Sequence, residues 1–299
     1  MTIVQLEYLL AVANCGSFST ASEQCFVTQP SLSMQVKNLE EELGVILLDR
    51  SKKPVIPTEA GRVVIANARE AIRAYNYVRE SVNELKGEVS GKLTLAVIPT
   101  IAPYLVHRFV PGFISKNPKV ELEIREMQTA DIIAALQKDA IDAAVLAGGM
   151  CPESIAEEEL FNDRFYAYVS PTHPLYERSN IRIEDIDMKS LLLLSDGHCL
   201  RNQILELCHG RNIGGSSCSF ESGSLDTLMR IVDTTSSMTV IPEMALPYIA
   251  DNKREQIKSL SKGATSRKVT IAVRRTYVKS SLIAALKESI LEIAADAAN

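Results

Sequence analysis

The sequence predicts an α/β protein laid out in three stretches, and three observations carry that prediction. Over residues 1–57 apolar residues recur at helical spacing between tight Gly and Pro joints. From Thr58 to Lys86 one helical pattern runs without a proline. From Gly91 to Asn299 strand and helix patterns alternate, as in a doubly wound α/β arrangement. The chain has 299 residues, 46% of them hydrophobic, which is enough apolar material for more than one core. No run approaches the roughly 18 apolar residues of a membrane span, since Leu191–Leu194 is only strand-length. Met1–Gln5 has no cationic start or cleavage pattern, so a cytoplasmic protein with no membrane partner is expected. Six cysteines are too few for a disulfide scaffold at this length, and each needs its own explanation.

The first stretch opens with a helix whose apolar positions are Leu6, Leu9, Leu10 and Ala13, stopped by Gly16-Ser17. Ser19 then caps a short helix through Cys25, and Val27-Thr28 makes the turn. A third helix starts with Pro30 in its first turn, where the missing N–H costs nothing, and ends at Gly44. Its inward stripe is Leu32, Val36, Leu39 and Leu43, which turns Gln29, Ser31, Ser33, Gln35 and Lys37 away from the core. Short amide and hydroxyl groups at an exposed helix start suit base edges and phosphates in a DNA major groove. The plain alternative is a small solvated three-helix cap. The net charge of −5 points weakly away from nucleic acid, and residues 1–57 hold four bases against six acids. Three of those bases cluster in Arg50-Ser51-Lys52-Lys53, however, and salt confines a charge's reach to about 8 Å, so local clustering outweighs the sum.

The runs Gly16-Ser17-Phe18-Ser19-Thr20-Ala21, Val27-Thr28-Gln29-Pro30-Ser31-Leu32-Ser33 and Leu39-Glu40-Glu41-Glu42-Leu43-Gly44 carry a resemblance, which Leu47–Arg50 and Pro57–Gly61 continue. They resemble the winged helix-turn-helix of LysR-type transcriptional regulators. The resemblance implies double-stranded promoter DNA as a partner and RNA polymerase as a further one. Gln29, Pro30 and Ser33 would sit in the groove and Arg50 and Lys53 on the wing would hold phosphates, with Thr28, Ser31 and Lys37 completing the expected DNA-binding set. Cys25 stands where that family usually has Leu, and it is expected to be a small buried hydrophobe.

In the second stretch Val64, Ala68, Ala71, Tyr75, Val78, Val82 and Leu85 are spaced 4, 3, 4, 3, 4, 3, a heptad seam. Charges between Thr58 and Ser90 balance, as on a solvated outer face. A helix packed on its own chain would also fit. The narrow seam favours a linker helix, residues 58–90 with its hinge, that joins two or four copies, as the resemblance implies.

The third stretch, residues 91–299, places strands at Lys92–Ile98, Val120–Arg125, Ala143–Leu146, Leu191–Leu194, Thr239–Ile241 and Val269–Val273. Helical patterns fall after the first strand, at Ile132–Gln137, Leu200–Cys208 and Leu225–Val232. No Gly-rich phosphate fingerprint follows the opening strand, so no nucleotide or other cofactor is expected. The resemblance implies a two-lobed regulatory domain like periplasmic binding proteins, with lobe I at about 91–160 and 267–299 and lobe II at about 161–266.

Cys199 and Cys208 are the informative thiols. Cys199 lies near the start of its helix, where unpaired N–H groups and the dipole favour negative charge, with His198 and Arg201 beside it. If the segment is one helix, nine positions put the two cysteines about 13.5 Å apart along the axis. They also fall on opposite faces. A disulfide needs Cα atoms about 4.4–6.8 Å apart, so helix and disulfide exclude each other. The run Ser195–Gln203, with Ser224–Leu228 and Val240-Ile241-Pro242, is similar to the peroxide-responsive members of the LysR family. That similarity implies a redox sensor, not an enzyme, in which hydrogen peroxide oxidises Cys199 and Cys208 closes a disulfide. It also assigns a peroxide pocket to Thr100, Thr129 and His198 beyond strand ends, and Arg274 after Val269–Val273 as a supporting arginine. Three other readings are a regulator sensing a small metabolite, a zinc site at His198-Cys199 and Cys208-His209, and a thiol peroxidase. Cys15, Cys151 and Cys218 have no activating neighbours in sequence and read as structural.

Overall fold

The computed structural model describes residues 1–85, 89–208, 222–261, 266–277 and 280–297. The chain forms two compact units, Met1–Glu88 and Val89–Asn299. Cys218 and His209 lie outside the described residues, as do the side chains of Val82 and Leu85. Among the described residues no helix is long and apolar enough to cross a membrane.

The first unit comprises α1 (Ile3–Cys15), α2 (Phe18–Gln24), α3 (Gln29–Leu43), strands β1 (Leu48–Asp49) and β2 (Ile56–Pro57), and α4 (Glu59–Leu85). Thr2, Ser17 and Thr28 cap the first three helices by accepting backbone N–H bonds from the first turn. Ser17, not Ser19, caps the second helix, because the chain turns helical directly after Gly16. Leu6, Leu9, Val12, Ala21, Leu32, Val36 and Leu39 form the core, closed by Leu47 and Leu48. Leu43, expected inside, is 38% exposed because α3 outruns the helices that cover it. The β1–β2 pair frames a wing over residues 50–55. Thr58 accepts the Gly61 N–H at 2.9 Å, and a Cβ on Gly61 would strike the Leu47 carbonyl oxygen, so this joint requires glycine.

The first half of α4 buries Ile65 and Ala68 in that core. Its second half leaves Tyr75 50% and Val78 64% exposed, although both belong to the heptad seam. The helix therefore packs on its own chain at one end and presents an uncovered apolar edge further along.

The second unit runs β3 (Gly91–Val97), α5 (Ala102–Lys116), β4 (Val120–Glu126), α6 (Thr129–Gln137), β5 (Ala143–Ala147), β6 (Ile155–Val169), β7 (Asn180–Arg182), α7 (Cys199–Leu207), α8 (Leu225–Val232), β8 (Met238–Pro242), β9 (Ile257–Ser261), β10 (Ser266–Arg274) and α9 (Ser280–Ala297). The strand order is β4-β3-β5-β10-β6-β9-β7, with β8 also on β6. Strands β4, β3 and β5 are parallel, and β10 returns antiparallel between β5 and β6. The 15-residue β6 joins two halves: Ile155–Arg164 pairs with β10, and Phe165–Val169 with β8. Leu95, Val97, Phe109, Phe113, Val145, Ile271 and Leu286 lie in one core; Phe165, Val169, Leu200, Ile204, Leu228 and Val240 lie in another.

Two differences from the sequence expectation have physical causes. Leu191–Leu194 makes only isolated bridges, Leu191 to Met238 and Leu194 to Ser222, because its leucines are spent filling the second core. The long β6 carries Glu157-Glu158-Glu159, whose charge hides the strand pattern. Lys268 from β10 pairs with Glu159 at 2.7 Å, and Lys287 from α9 pairs with Glu158.

Candidate redox site and nucleic-acid interface

Helix α7 begins at Cys199 itself, one residue before the sequence pattern suggests, with His198 as the residue that opens it. No side chain caps this start, and the Arg201 N–H turns back to the His198 carbonyl at 3.1 Å. Cys208 closes the same helix, its N–H bonded to the Ile204 carbonyl at 3.0 Å. Both cysteines are buried, 3% and 1% exposed, yet they sit in different cores. Cys199 packs in the core of β3, β5 and β10, and Cys208 in the core of β6, β8 and α8. They are not bonded to each other. Nine residues of helix at about 1.5 Å each separate them.

Around Cys199 the chain closes a tight cleft lined by Ile98, Pro99, Thr100, Gln128, Thr129, Gly197, His198 and Cys199. In this conformation it has no room for a water molecule. Thr100 follows β3, Thr129 opens α6, and His198 opens α7, so three separate joints converge here. The Thr129 hydroxyl is buried without a hydrogen-bond partner. An orphaned hydroxyl costs about 1–3 kcal/mol, and its presence beside a thiol marks a place for a polar guest. Burial holds the His198 imidazole below the usual histidine range, against the opposing pull of Glu126, which keeps the ring neutral near pH 7. Gly197 has φ +93°, and a Cβ there would lie 2.3 Å from the Gln128 Oε1. Arg201 turns away, pairing with Asp196 at 2.8 Å and donating to the Leu194 carbonyl at 3.0 Å.

The supporting arginine needs correction. Arg274 donates to the Gln137 carbonyl and to Asp139 at 2.7 Å, at the C-terminal end of α6. Thr129 starts that helix, about 12 Å away along the axis. The guanidinium that reaches the site is Arg267, which donates to the Thr100 Oγ1 at 2.8 Å and to its carbonyl at 3.0 Å. Arg267 is wholly buried against Asp163, Nη2 to Oδ2 2.9 Å. Asp163 also accepts the Met244 N–H at 3.1 Å. Sequence inspection missed this pair because its members are 104 residues apart and meet only through the β10–β6 register.

The remaining described thiols have ordinary or adverse surroundings. Burial pushes Cys15 and Cys25 upward, and burial with the neighbouring Glu157 pushes Cys151 up to about 12. Cys25 is only partly buried, not the sealed hydrophobe expected.

In the first unit α3 presents Gln29, Pro30 and Ser31 to solvent at its start, with Ser33 half-buried one turn on. Thr28 is occupied as the cap, accepting from Ser31 N–H at 3.4 Å. Lys37 is exposed and pairs loosely with Glu41 at 3.3 Å. Arg50 is a strut between wing and helix: it pairs with Glu40 at 2.8 Å, donates to Ser33 at 3.3 Å and covers the Phe18 ring at 4.9 Å. Glu40 also accepts the N–H groups of Leu47 and Leu48. Lys53 stands exposed on the wing.

Comparison with known proteins accounts for both units. Residues 3–62 match the bacterial regulatory helix-turn-helix of the lysR family, and residues 86–295 match the LysR substrate binding domain. The chain belongs to the LysR family. Among relatives of this LysR-family protein is a hydrogen peroxide-inducible genes activator from Dickeya chrysanthemi, 35% identical over 83% of this chain and 81% of that protein. The DNA-binding transcriptional dual regulator OxyR of Escherichia coli is 34% identical over 86% of this chain and 83% of its own. In solved structures, a full-length OxyR variant from Pseudomonas aeruginosa matches with a TM-score of 0.80 at 31% identity, covering 97% and 94% of the two chains. An H2O2-bound OxyR mutant from Corynebacterium glutamicum matches with a TM-score of 0.63 at 28% identity, covering 99% and 95%.

Proposed function

We propose that this chain is a peroxide-sensing transcriptional regulator whose sensor is Cys199 and whose resolving thiol is Cys208. The Cys199 sulfur attacks hydrogen peroxide and breaks the O–O bond; one oxygen stays as a sulfenic acid and the other leaves as water once protonated. The Cys208 thiol then attacks that sulfur, loses its proton and expels the second oxygen as water, leaving a disulfide. The Thr100 and Thr129 hydroxyls and the neutral His198 ring orient the peroxide and its departing oxygen, and Arg267 positions Thr100. The cleft must widen slightly to admit the oxidant.

One observation carries this reading: a single helix holds the two thiols at its opposite ends and in two different cores. Disulfide formation therefore cannot occur without unwinding α7 and pulling one cysteine out of its core. That makes the segment a two-state element with a covalent latch. The output is a change in how a homo-oligomer, joined along the exposed part of α4, presents α3 and the wing to promoter DNA and through it to RNA polymerase. Gln29, Pro30, Ser31 and Ser33 supply groove contacts and Lys37 and Lys53 phosphate contacts, with Thr28 and Arg50 holding that surface in shape.

Stepwise addition of peroxide to the reduced protein, followed by peptide mapping, tests the proposal. The Cys199–Cys208 bond is expected before any modification of Cys15, Cys25 or Cys151. Cys199→Ser is expected to abolish the response. A full peroxide response in that variant would overturn the assignment.

A further inference from the structure

All three helices of the DNA-binding head end on one left-handed residue, and they differ in which residue stands there. Helices α1 and α3 stop on glycines in the left-handed region, Gly16 at φ 64° and Gly44 at φ 68°. Helix α2 uses the same kind of stop: the Phe26 N–H donates to the Glu23 carbonyl at 3.2 Å, and the Val27 N–H to the Ser22 carbonyl at 3.0 Å. These paired bonds close a helix through one left-handed residue, a place that suits glycine or asparagine. Here that residue is Phe26, at φ 54°. A Cβ in that conformation meets a steric penalty that glycine escapes. Burial does not offset it, because Phe26 is 95% exposed.

A large ring held at a strained position and packed on none of the cores that the described residues form needs a partner from outside. Its location says which one. Phe26 lies two residues before Thr28, the cap of the helix that faces the groove, on the side where α3 starts. Further along that helix Pro30 is exposed and Met34 is 60% exposed one turn later, so the polar readers Gln29 and Ser33 are flanked by apolar surface. A phosphate would attract a cation, not a phenyl ring. The apolar feature that a major groove offers is the C5-methyl group of thymine. We infer that Phe26 is a specificity-determining residue, its ring packing on a thymine methyl at the edge of each operator half-site. This rests on α3 being the groove helix.

The test uses the full-length reduced protein and a pool of randomised duplexes, with Phe26→Asn as the variant, since asparagine tolerates the left-handed turn and removes the ring. The variant is expected to keep its thermal stability and oligomeric mass and to lose a thymine preference at one position in each half-site. Replacing that thymine by deoxyuridine in a selected duplex should weaken wild-type binding about fourfold, the worth of one buried methyl group, and leave the variant unaffected. An unchanged thymine preference, or equal weakening of both proteins by deoxyuridine, overturns the inference. A changed oligomeric mass would assign the ring to a contact between copies instead. If wild-type protein enriches no sequence, the DNA-binding reading falls and this inference falls with it.

Discussion

A guanidinium sealed from water is the residue on which the proposed peroxide site rests. Arg267 and Asp163 are both fully buried in their side chains, and Arg267 spends its remaining donors on Thr100. Removing one partner of such a pair leaves a buried charge uncompensated, at a cost of about 3–5 kcal/mol. Arg267→Met should therefore lower the urea midpoint of the second unit severely and disorder Thr100. Arg274→Ala, which breaks a partly exposed pair with Asp139, should cost about 1 kcal/mol and leave peroxide reactivity intact. Equal effects of the two substitutions would contradict this division. Arg274 lies at the far end of α6 for a topological reason. Ligand sites lie beyond the carboxyl ends of parallel strands, and β3 obeys that rule at Thr100. β10, however, runs antiparallel to β5, so the end of β10 that meets the site is its beginning. Strand direction is a long-range fact, absent from a local pattern. Cys199 at a helix start was legible from the pattern break at Gly197, whereas Thr100, Thr129 and His198 came only from the family resemblance, since a lone threonine at a strand end reads locally as a cap.

At the scale of the element, the proposed switch requires α7 to be stable enough to keep its cysteines apart and weak enough to melt. Its start has no side-chain cap and its nine residues are fewer than an isolated helix needs, so its persistence depends on Leu200 and Ile204 in the core. Asn202 lies exposed in its middle, and Asn is about 0.5 kcal/mol worse than Ala there. Asn202→Ala should leave the oxidation of Cys199 to the sulfenic acid unchanged and slow the following disulfide step about two- to threefold, as rapid-mixing mass spectrometry would show. A variant that closes the disulfide as fast as wild type would mean that melting does not gate the switch. The same helix was readable from its 3.6-residue period, as were α3 and α4. β6 was not, because three consecutive glutamates erase the alternation, and their partners Lys268 and Lys287 come from β10 and α9.

For the whole molecule the proposed signal passes from the unit Val89–Asn299 to the unit Met1–Glu88, and it would begin in the two cores that hold Cys199 and Cys208. Joining sulfurs that belong to different cores takes a buried side chain out of one of them, a loss comparable to a large-to-small core substitution of about 2–5 kcal/mol. A disturbance of that size exceeds what one surface loop absorbs, and β6 runs from one half into the other as a shared strand. The second half of α4 meanwhile carries Tyr75 and Val78 uncovered, an edge suited to another copy of the chain. The expected consequence is a change in spacing between DNA-binding heads within one oligomer. Footprints of reduced and peroxide-treated protein on the same promoter should then differ in length or periodicity by whole turns of about 10 base pairs. Cys208→Ser should keep the reduced footprint after peroxide, since its Cys199 can be oxidised but not bridged. Identical footprints for both redox forms of the wild type would show that bridging reshapes the sensor without moving the heads, and the proposed coupling through the oligomer would fail.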